Sequence, residues 1–247
     1  GAGNGAVVTV LNDSGKILVN AGVDVSKGAT GADGTIQLKA SGDITNNASG
    51  VLTGDTDGKL LAYSTGGKID LSAVASAMKS VSLQTDTTTA SGNDGTVKYY
   101  DSTDLTLATV GGAGTLTTAP SGTLASAVAV STTGVKTVAG GTNGAVIVRA
   151  GTTGTSTLTV NEAIVTTPSG SAAGGSVILE SGGAISLASN GTITTTGTTA
   201  GSGGEVFIHH TNAAAGDITL GKAITGQGTG AGNGAVVTVL NDSGKIL

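Results

Sequence analysis

Short runs that alternate apolar with polar residues recur along the whole chain, and a glycine stands before each of them. Gly34-Thr35-Ile36-Gln37-Leu38 and Gly95-Thr96-Val97-Lys98-Tyr99 are two examples. Alternation of this kind predicts a β-strand with one buried and one solvent-facing side. We interpret the preceding glycines as corner turns, where a residue that tolerates a positive φ is needed. These corner glycines are Gly5, Gly34, Gly58, Gly95, Gly144, Gly175, Gly204 and Gly234.

Each glycine-led strand is followed by two shorter apolar runs. Near the start of the chain these are Lys16–Val19 and Val23–Val25, and the same order returns at Ala184–Leu187 and Ile193–Thr195. Three short strands separated by turn residues are typical of a coiled parallel sheet. No stretch sustains the helical period of about 3.6 residues. Only the alanine-rich Ser72–Lys79 has the composition of a helical turn.

One segment occurs twice without a single difference. Positions 1–18 and 230–247 both read GAGNGAVVTVLNDSGKIL, so that Gly230 takes the place of Gly1. This identity predicts a tandem array in which residues 1–229 form one unit and residues 230–247 begin the next. Because the chain starts at Gly1 and not at a methionine, we expect it to be a piece of a longer protein.

The spacing of the corner glycines predicts the number of turns. Most neighbouring corners follow one another at similar intervals, but the interval from Gly95 to Gly144 is clearly the longest. A gap of that length suits two turns, the second carried by residues 124–130 and 135–138. The unit would then contain about eight three-strand turns of about 29 residues each. With parallel strands about 4.8 Å apart, eight turns predict an axial rise of about 38 Å per unit.

Composition agrees with such a narrow coil. The chain has 44 glycines, 2% aromatic residues and no tryptophan, so its core must consist mainly of Val, Ile, Leu and Ala. We therefore predict an all-β, right-handed parallel β-solenoid, since crossover connections between parallel strands are nearly always right-handed.

Charge and cysteine content exclude several partners. A net charge of −5 and a single arginine, Arg149, disfavour nucleic acid. The absence of cysteine excludes disulfides and thiolate metal sites. No apolar run is long enough to predict a membrane-spanning segment.

The chain offers little material for catalysis. Polysaccharide-cleaving β-helical enzymes need carboxylates or basic residues clustered in a cleft, usually beside aromatic platforms. With Tyr63, Tyr99 and Tyr100 as its only tyrosines, this chain cannot supply that arrangement. We expect no enzymatic activity, no catalytic residue and no cofactor. His209 and His210 are neighbours on a predicted strand and should point to opposite faces, so we do not expect them to chelate one metal together.

Three aspartates beside corner glycines are candidate calcium ligands. Asp33, Asp57 and Asp94 each precede a corner glycine and could stack with nearby carboxylates. The alternative is ordinary Asx-turn chemistry. The glycine-and-aspartate nonapeptide repeat of calcium-binding β-helices is absent, and Asn or Gly stands at the other corners, which favours the alternative.

Several segments resemble a known family of bacterial proteins. GTIQLKASGDI (34–44), GGSVILESGGAISL (174–187) and GKILVNAGVDVS (15–26) are similar to repeats of filamentous-haemagglutinin-like large exoproteins. The resemblance covers most of the chain and is weakest over residues 99–143. It implies right-handed parallel β-helices in long surface adhesins and secreted fibres, outside the cell, and it implies no catalytic residue.

The sequence thus predicts a structural segment of an extracellular filament, stalk or sheath on the bacterial surface. Its expected partners are adjacent units of the same chain, laterally packed copies, and a glycan coat on its Ser and Thr residues. The alternative is the ligand-binding region of a secreted filamentous adhesin. For that role the less regular stretch Ser102–Gly141 is the best candidate, since departures from the repeat usually project as loops.

Overall fold

The structure, a computed structural model, describes residues 3–87, 95–111, 132–139, 144–151, 154–168, 170, 172–213 and 216–247. Within these ranges every regular element is a β-strand, so the predicted all-β class is confirmed. Ser72–Lys79 is not a helical turn, because its residues up to Ser76 belong to a strand. In the described part of the chain, no helix has the length and apolar character needed to cross a lipid bilayer.

Most strands belong to two large sheets. Sheet A has twelve strands and sheet B has eight, while sheets C and D have two each. The strands of sheet A are β1 (Val7–Asn12), β4 (Thr35–Ala40), β7 (Lys59–Ser64), β9 (Ser80–Thr87), β11 (Leu105–Leu107), β14 (Val135–Ala139), β16 (Leu158–Val160), β17 (Ile164–Val165), β19 (Ile185–Leu187), β20 (Ile193–Thr194), β22 (Ile218–Leu220) and β23 (Ile224–Thr225). Those of sheet B are β2 (Ile17–Val19), β5 (Ile44–Asn46), β8 (Ile69–Ser76), β10 (Val97–Asp101), β15 (Val146–Ala150), β18 (Val177–Ser181), β21 (Val206–His210) and β24 (Val237–Asn241). Sheet C contains β3 (Val23–Asp24) and β6 (Leu52–Thr53), and sheet D contains β12 (Thr109–Val110) and β13 (Thr132–Thr133).

Parallel ladders carry the same side-chain position from strand to strand. In sheet B, Val97 pairs with Val146, Val146 with Val177, and Val177 with Val206. Each of these valines is at most 1% exposed. Burial of such a side chain contributes about 1.5–3 kcal/mol, and here the contribution requires neighbours on both sides. The core is therefore continuous along the stack of strands.

The glycine-led strand does not remain in one sheet. β1, β4 and β7 follow the first three corner glycines and lie in sheet A, whereas β10, β15, β18, β21 and β24 follow the other five and lie in sheet B. Sheet B begins instead with the second strand of each early repeat, namely β2, β5 and β8. The eight corners are therefore not equivalent positions of the fold, contrary to what their common pattern suggests.

The change of sheet takes place at β8, β9 and β10. Leu71 of β8 pairs with Tyr99 of β10, but the next pair is Ser76 with Asp101, so the residues between Leu71 and Ser76 bulge out of the ladder. β9 pairs with β7 on one edge and with both β11 and β14 on the other. A single strand of sheet A is thus continued by two rows of shorter strands.

The long gap between corner glycines contains one turn and not two. Val97 pairs directly with Val146, so β15 follows β10 in sheet B. Val135–Ala139 forms β14, which pairs with β9 and β17 in sheet A, and residues 124–130 lie outside the described residues. The predicted count of eight turns is therefore wrong. Among the described strands, sheet B has seven within residues 1–229, and its eighth, β24, belongs to the second copy.

Close backbone approach explains most of the corner glycines. A Cβ atom at Gly34 would lie 1.8 Å from the carbonyl oxygen of Ala6, and one at Gly175 would lie 1.8 Å from that of Gly144. Gly95 does have a positive φ, of 59°. The expectation that positive φ governs these positions is wrong at Gly5, Gly34, Gly58, Gly175, Gly204 and Gly234, whose φ lies outside that region.

In the strand pairing, Gly5 and Gly234 lie one residue before the position that the other corner glycines occupy. Because Val7 pairs with Thr35, Ala6 stands beside Gly34. Because Val206 pairs with Val237, Ala235 stands at the place of Gly204. Alanine therefore occupies the common corner position in both copies of the repeated segment.

Candidate functional site

The second copy of the repeated segment forms the last layer of strands, and we call its contact with the preceding layer the joint. The joint consists of the β21–β24 ladder and the corner residues 210–213, 216 and 241–245. Val206 pairs with Val237 and Ile208 with Val239. The N–H of Val206 donates to the carbonyl of Val236 at 2.9 Å. The copy is therefore held by the same kind of parallel ladder as the internal layers.

Asn241 is the polar centre of the joint. Its Oδ1 lies 3.0 Å from His210 Nδ1 and accepts the N–H groups of Ser243 and Gly244. Its Nδ2 donates to the carbonyls of Gly216 at 2.9 Å and Lys245 at 3.0 Å. Asn241 thus closes its own corner and simultaneously binds the corner of the previous layer.

His210 lies beneath Asn241 and is fully buried. Since Asn241 Oδ1 is an acceptor, His210 Nδ1 is assigned as the donor of this hydrogen bond. The other ring nitrogen, Nε2, has no hydrogen-bond partner among the described residues. The equivalent interior positions of the two preceding sheet-B strands carry Ser181 and Ala150, so the joint has a bulkier and more polar interior than the layers before it.

The outer face of the joint carries a second polar contact. His209 Nε2 lies 3.2 Å from Asp242 Oδ1, and the rings of His209 and Phe207 meet edge to face with centroids 5.5 Å apart. His209 and His210 therefore point to opposite faces of the strand and contact different partners. Two separate side-chain contacts, one inside and one outside, connect the second copy with the preceding layer.

The calcium candidates form a small network around a lysine. Asp33 accepts the N–H of Lys27 at 2.7 Å and that of Asp57 at 2.5 Å, while Lys27 Nζ lies 3.4 Å from Asp57 Oδ2. Burial raises the pKa of Asp33, but these N–H groups and the Lys27 charge outweigh it and lower the pKa overall. Asp94 lies outside the described residues. Over the described ranges no group of three His, Cys, Asp or Glu residues is arranged to hold a metal ion.

A recurrent aspartate contact between layers was missed by sequence reasoning. Asp43 accepts the N–H of Lys68 at 3.2 Å, Asp104 that of Thr157 at 2.8 Å, and Asp217 that of Lys245 at 2.9 Å. Each aspartate directly precedes a short strand, and that position is the sequence signal that could have identified it. These carboxylates connect consecutive corners.

A second recurrent contact closes the corner before each later sheet-B strand. A buried threonine hydroxyl donates to the carbonyl of the corner glycine, at 2.5 to 2.9 Å. The pairs are Thr85–Gly95, Thr137–Gly144, Thr166–Gly175 and Thr195–Gly204. At the joint, Gly226 takes the threonine position and Ala235 the glycine position, and a Cβ on Gly226 would lie 2.2 Å from the Cβ of Ala235. At the joint, the smaller residue therefore stands in the threonine position and the larger residue stands in the glycine position.

The outer face of sheet B carries a shallow groove of about 300 Å³ beside the single arginine. Ser72, Lys98, Tyr100, Ile147 and Arg149 line it. Both cations have an acidic neighbour on the adjacent strand: Lys98 Nζ lies 3.9 Å from Asp70, and Arg149 forms an ion pair with Glu180. These pairs connect layers, and the Ser72 hydroxyl donates to Asp70 Oδ1 at 2.6 Å.

The predicted adhesive stretch Ser102–Gly141 is only partly described. β12 and β13 form an antiparallel hairpin base, with Val110 opposite Thr132. This base contacts β7 and β9, and there Leu61, which points away from the core, is only 1% exposed. Residues 112–131 and 140–141 lie outside the described residues. The hairpin base is the one antiparallel element of the described chain.

Comparison with known proteins does not assign the chain to a family. No family model, no curated protein and no solved structure matches it. The resemblance to filamentous-haemagglutinin-like exoproteins therefore stays a prediction.

Proposed function

We propose that residues 1–229 are one unit of a right-handed parallel β-solenoid whose tandem copies build an extracellular filament, stalk or sheath on a bacterial surface. The observation that carries this proposal is the joint. There, a second copy of residues 1–18 continues the parallel ladder of the first unit in register. The partner of each unit is the next unit of the same chain, with lateral packing of fibres and a glycan coat as further associations.

Exposed apolar residues at both ends of the chain support this role. Among the described residues, the exposed large hydrophobic side chains all lie in the two copies of the repeated segment. Val10 of β1 is 39% exposed although its partner Leu38 is 2% exposed. A further layer of strands would cover Val10 as β1 covers Leu38. A neighbouring unit at each end would therefore bury these exposed apolar side chains in a continuous core.

The mechanism is mechanical. Backbone hydrogen bonds join strands that are far apart in sequence, so local opening must break contacts with the layers on both sides. The aspartate and threonine contacts add side-chain hydrogen bonds between layers. A chain built in this way resists proteolysis and extension without needing a catalytic group, a cofactor or a closed domain.

The proposal is tested by lengthening the chain by whole units. Proteins of two and three units should form rods in cryo-electron micrographs, with an axial spacing of about 4.8 Å and about 35 Å of added length per unit. The two-unit protein is the control for the three-unit protein. Compact particles that do not lengthen with unit number would contradict the proposal.

A ligand-binding region of a secreted adhesin is the second candidate. The β12–β13 hairpin base supports it, because it departs from the parallel pattern and covers the outer face of sheet A near Leu61. Replacing residues 111–131 with a short Gly-Ser link should leave the rod intact. If the region is adhesive, beads coated with this variant should lose attachment to cells, whereas unchanged attachment would favour a purely structural role.

A further inference from the structure

The same repeated segment occupies different sheets at the two ends of the chain. In the first copy, β1 lies in sheet A beside β4, and Ile17 of β2 lies in sheet B beside Ile44. In the second copy, β24 lies in sheet B beside β21, and Ile246 pairs with Ile218 of sheet A. The first strand of the segment has therefore moved from sheet A to sheet B. The second strand has moved from sheet B to sheet A, which is the sheet that follows sheet B along the chain in the late layers.

The local conformation of the two copies is nevertheless the same. Asn12 Nδ2 donates to the carbonyl of Lys16 at 2.9 Å, and Asn241 Nδ2 donates to that of Lys245 at 3.0 Å. Ser14 and Ser243 both donate their N–H to the asparagine Oδ1 two residues earlier. The two copies thus differ in which sheet they join and not in how the corner folds.

The origin of the difference lies inside the unit. β1 lies one sheet before β2, and sheet B has seven strands from β2, which begins in the first copy, to β21, which directly precedes the second copy. β24 then adds the eighth strand to sheet B itself. The unit therefore comprises seven turns and one additional sheet, because the glycine-led strand moved from sheet A to sheet B between β7 and β10.

We infer that each unit of the array starts one sheet later than the unit before it. Successive units are then rotated by roughly a third of a turn, and three units restore the original orientation. This inference rests on the proposed tandem solenoid and adds to it the relative orientation of neighbouring units.

The rotation has a consequence for lateral association. Outward apolar residues such as Leu11 and Leu18 are 44% and 55% exposed, and Arg149 and Glu180 form an outward ion pair. If successive units turn, each of these features faces three directions along the fibre instead of one. The expected lateral partner is a further copy of this fibre on any side, which favours bundles over flat ribbons.

A disulfide experiment on the 247-residue chain tests the joint, and the absence of native cysteine makes it clean. Phe207 and Thr238 are paired, outward-facing positions of β21 and β24. The F207C/T238C variant should therefore form an intramolecular disulfide under mild oxidation. If the second copy kept the sheet of the first, Val236 would take the place of Val7 and would instead meet Thr219 of β22. The T219C/V236C variant should stay reduced, and its cross-linking in place of F207C/T238C would overturn the inference.

Images of a four-unit protein test the rotation itself. A small folded tag is inserted between Ala48 and Ser49 of each unit, at an exposed corner away from the joint. We expect tags at successive axial positions to project in three directions, with the fourth tag aligned with the first. A straight row of tags on one side of the rod would overturn the inference while leaving the tandem solenoid intact. Absence of any rod would instead contradict the proposed function.

Discussion

The early layers of strands, up to β9, and the late layers, from β15 onward, obey the same alternating pattern but differ in regularity. In sheet A, Thr35 pairs with Lys59 and Lys59 with Ser80, so successive early turns become shorter. In sheet B, the paired strands from β15 to β24 follow one another at nearly constant intervals. The late layers each contain three strands, whereas sheet C ends after β6. Turn length, and not the strand pattern, therefore decides which sheet a strand joins.

The shortening of the early turns accounts for the change of sheet. Between β8 and β9 too few residues are left for a separate third strand, and only an isolated bridge from Ala77 to Thr53 continues sheet C. β9 then extends across the positions that later layers fill with two shorter strands. From β15 onward the chain has regained about 30 residues per layer, and each layer repeats the one before.

The largest effect is expected where a late layer tolerates no side chain. Gly175→Ala places a Cβ 1.8 Å from the carbonyl oxygen of Gly144, and the strands on both sides oppose any shift. We expect a loss of about 3 kcal/mol in the free energy of unfolding, measured by urea denaturation. The matched control is Gly234→Ala, where the nearest atom would be 3.6 Å away. Equal effects of the two substitutions would contradict the register described here.

The next effect concerns Asp101, at the boundary between the two regions. This fully buried carboxylate accepts hydrogen bonds from the Tyr99 hydroxyl at 2.6 Å, the Met78 N–H at 2.9 Å and the Thr103 N–H at 2.8 Å. Asp101→Asn replaces one acceptor oxygen by a donor and should cost about 2 kcal/mol of stability. Tyr99→Phe removes a single hydrogen bond and should cost less. An unchanged unfolding midpoint in both variants would show that the boundary does not depend on this cluster.

The same residue predicts an unusual pH dependence. Burial raises the pKa of Asp101 above 3.8, in spite of the hydrogen bonds that lower it. The folded state then holds this proton to higher pH than the unfolded state, so its contribution to stability falls as pH rises from 3.8 through the raised pKa. Urea titrations should show the advantage of the wild type over Asp101→Asn shrinking across that window.

Asp43 supplies the control of opposite sign. Burial raises its pKa, but the hydrogen bonds and charges of Lys16 and Lys68 outweigh burial and lower the pKa overall. Its contribution should therefore be present above pH 3.8 and be lost as pH falls below that value. A wild-type advantage over Asp43→Asn that grows on acidification would refute this assignment.

A smaller effect is expected from the threonine contact of the late layers. Thr195 is buried and donates to the Gly204 carbonyl at 2.7 Å, so Thr195→Val should cost about 1 kcal/mol. Thr194 is its neighbour on the opposite face of the chain, and Thr194→Val should change stability very little. If thermal melting ranks the two variants in the reverse order, the contact does not stabilise the corner.

The smallest effect compares one residue in its two copies. Asn241 binds His210 and the Gly216 carbonyl on the preceding layer, whereas the contacts described for Asn12 lie within its own corner. Asn241→Ala should therefore destabilise by about 0.5 kcal/mol more than Asn12→Ala. Hydrogen exchange at β24 and β1 measures the difference. Equal exchange rates in the two variants would show that the Asn241 side chain does not stabilise the joint.

Much of the local structure could be predicted from residues alone. The alternation in Thr35–Leu38 correctly predicts a strand with Ile36 and Leu38 inside, but its predicted solvent-facing side is wrong, because Thr35 and Gln37 are only 8% and 3% exposed. The absence of a helical period correctly predicts the all-β class. The burial of Asp101 could not be predicted in the same way. Its partner Met78 comes from the preceding turn, and no local pattern shows that the residues after Leu71 bulge and bring Ser76 opposite Asp101.

The residues alone locate the strands, most of the inward-facing side chains and the return of segment 1–18 at 230–247. The sheet that each strand joins, the close backbone approaches that require glycine at the corners, and the difference of one sheet between the two copies emerge only when the chain is folded. Alternation is a property of a few consecutive residues. Strand pairing instead depends on the lengths of the intervening turns and on backbone contacts between residues of different turns, such as Val97 with Val146.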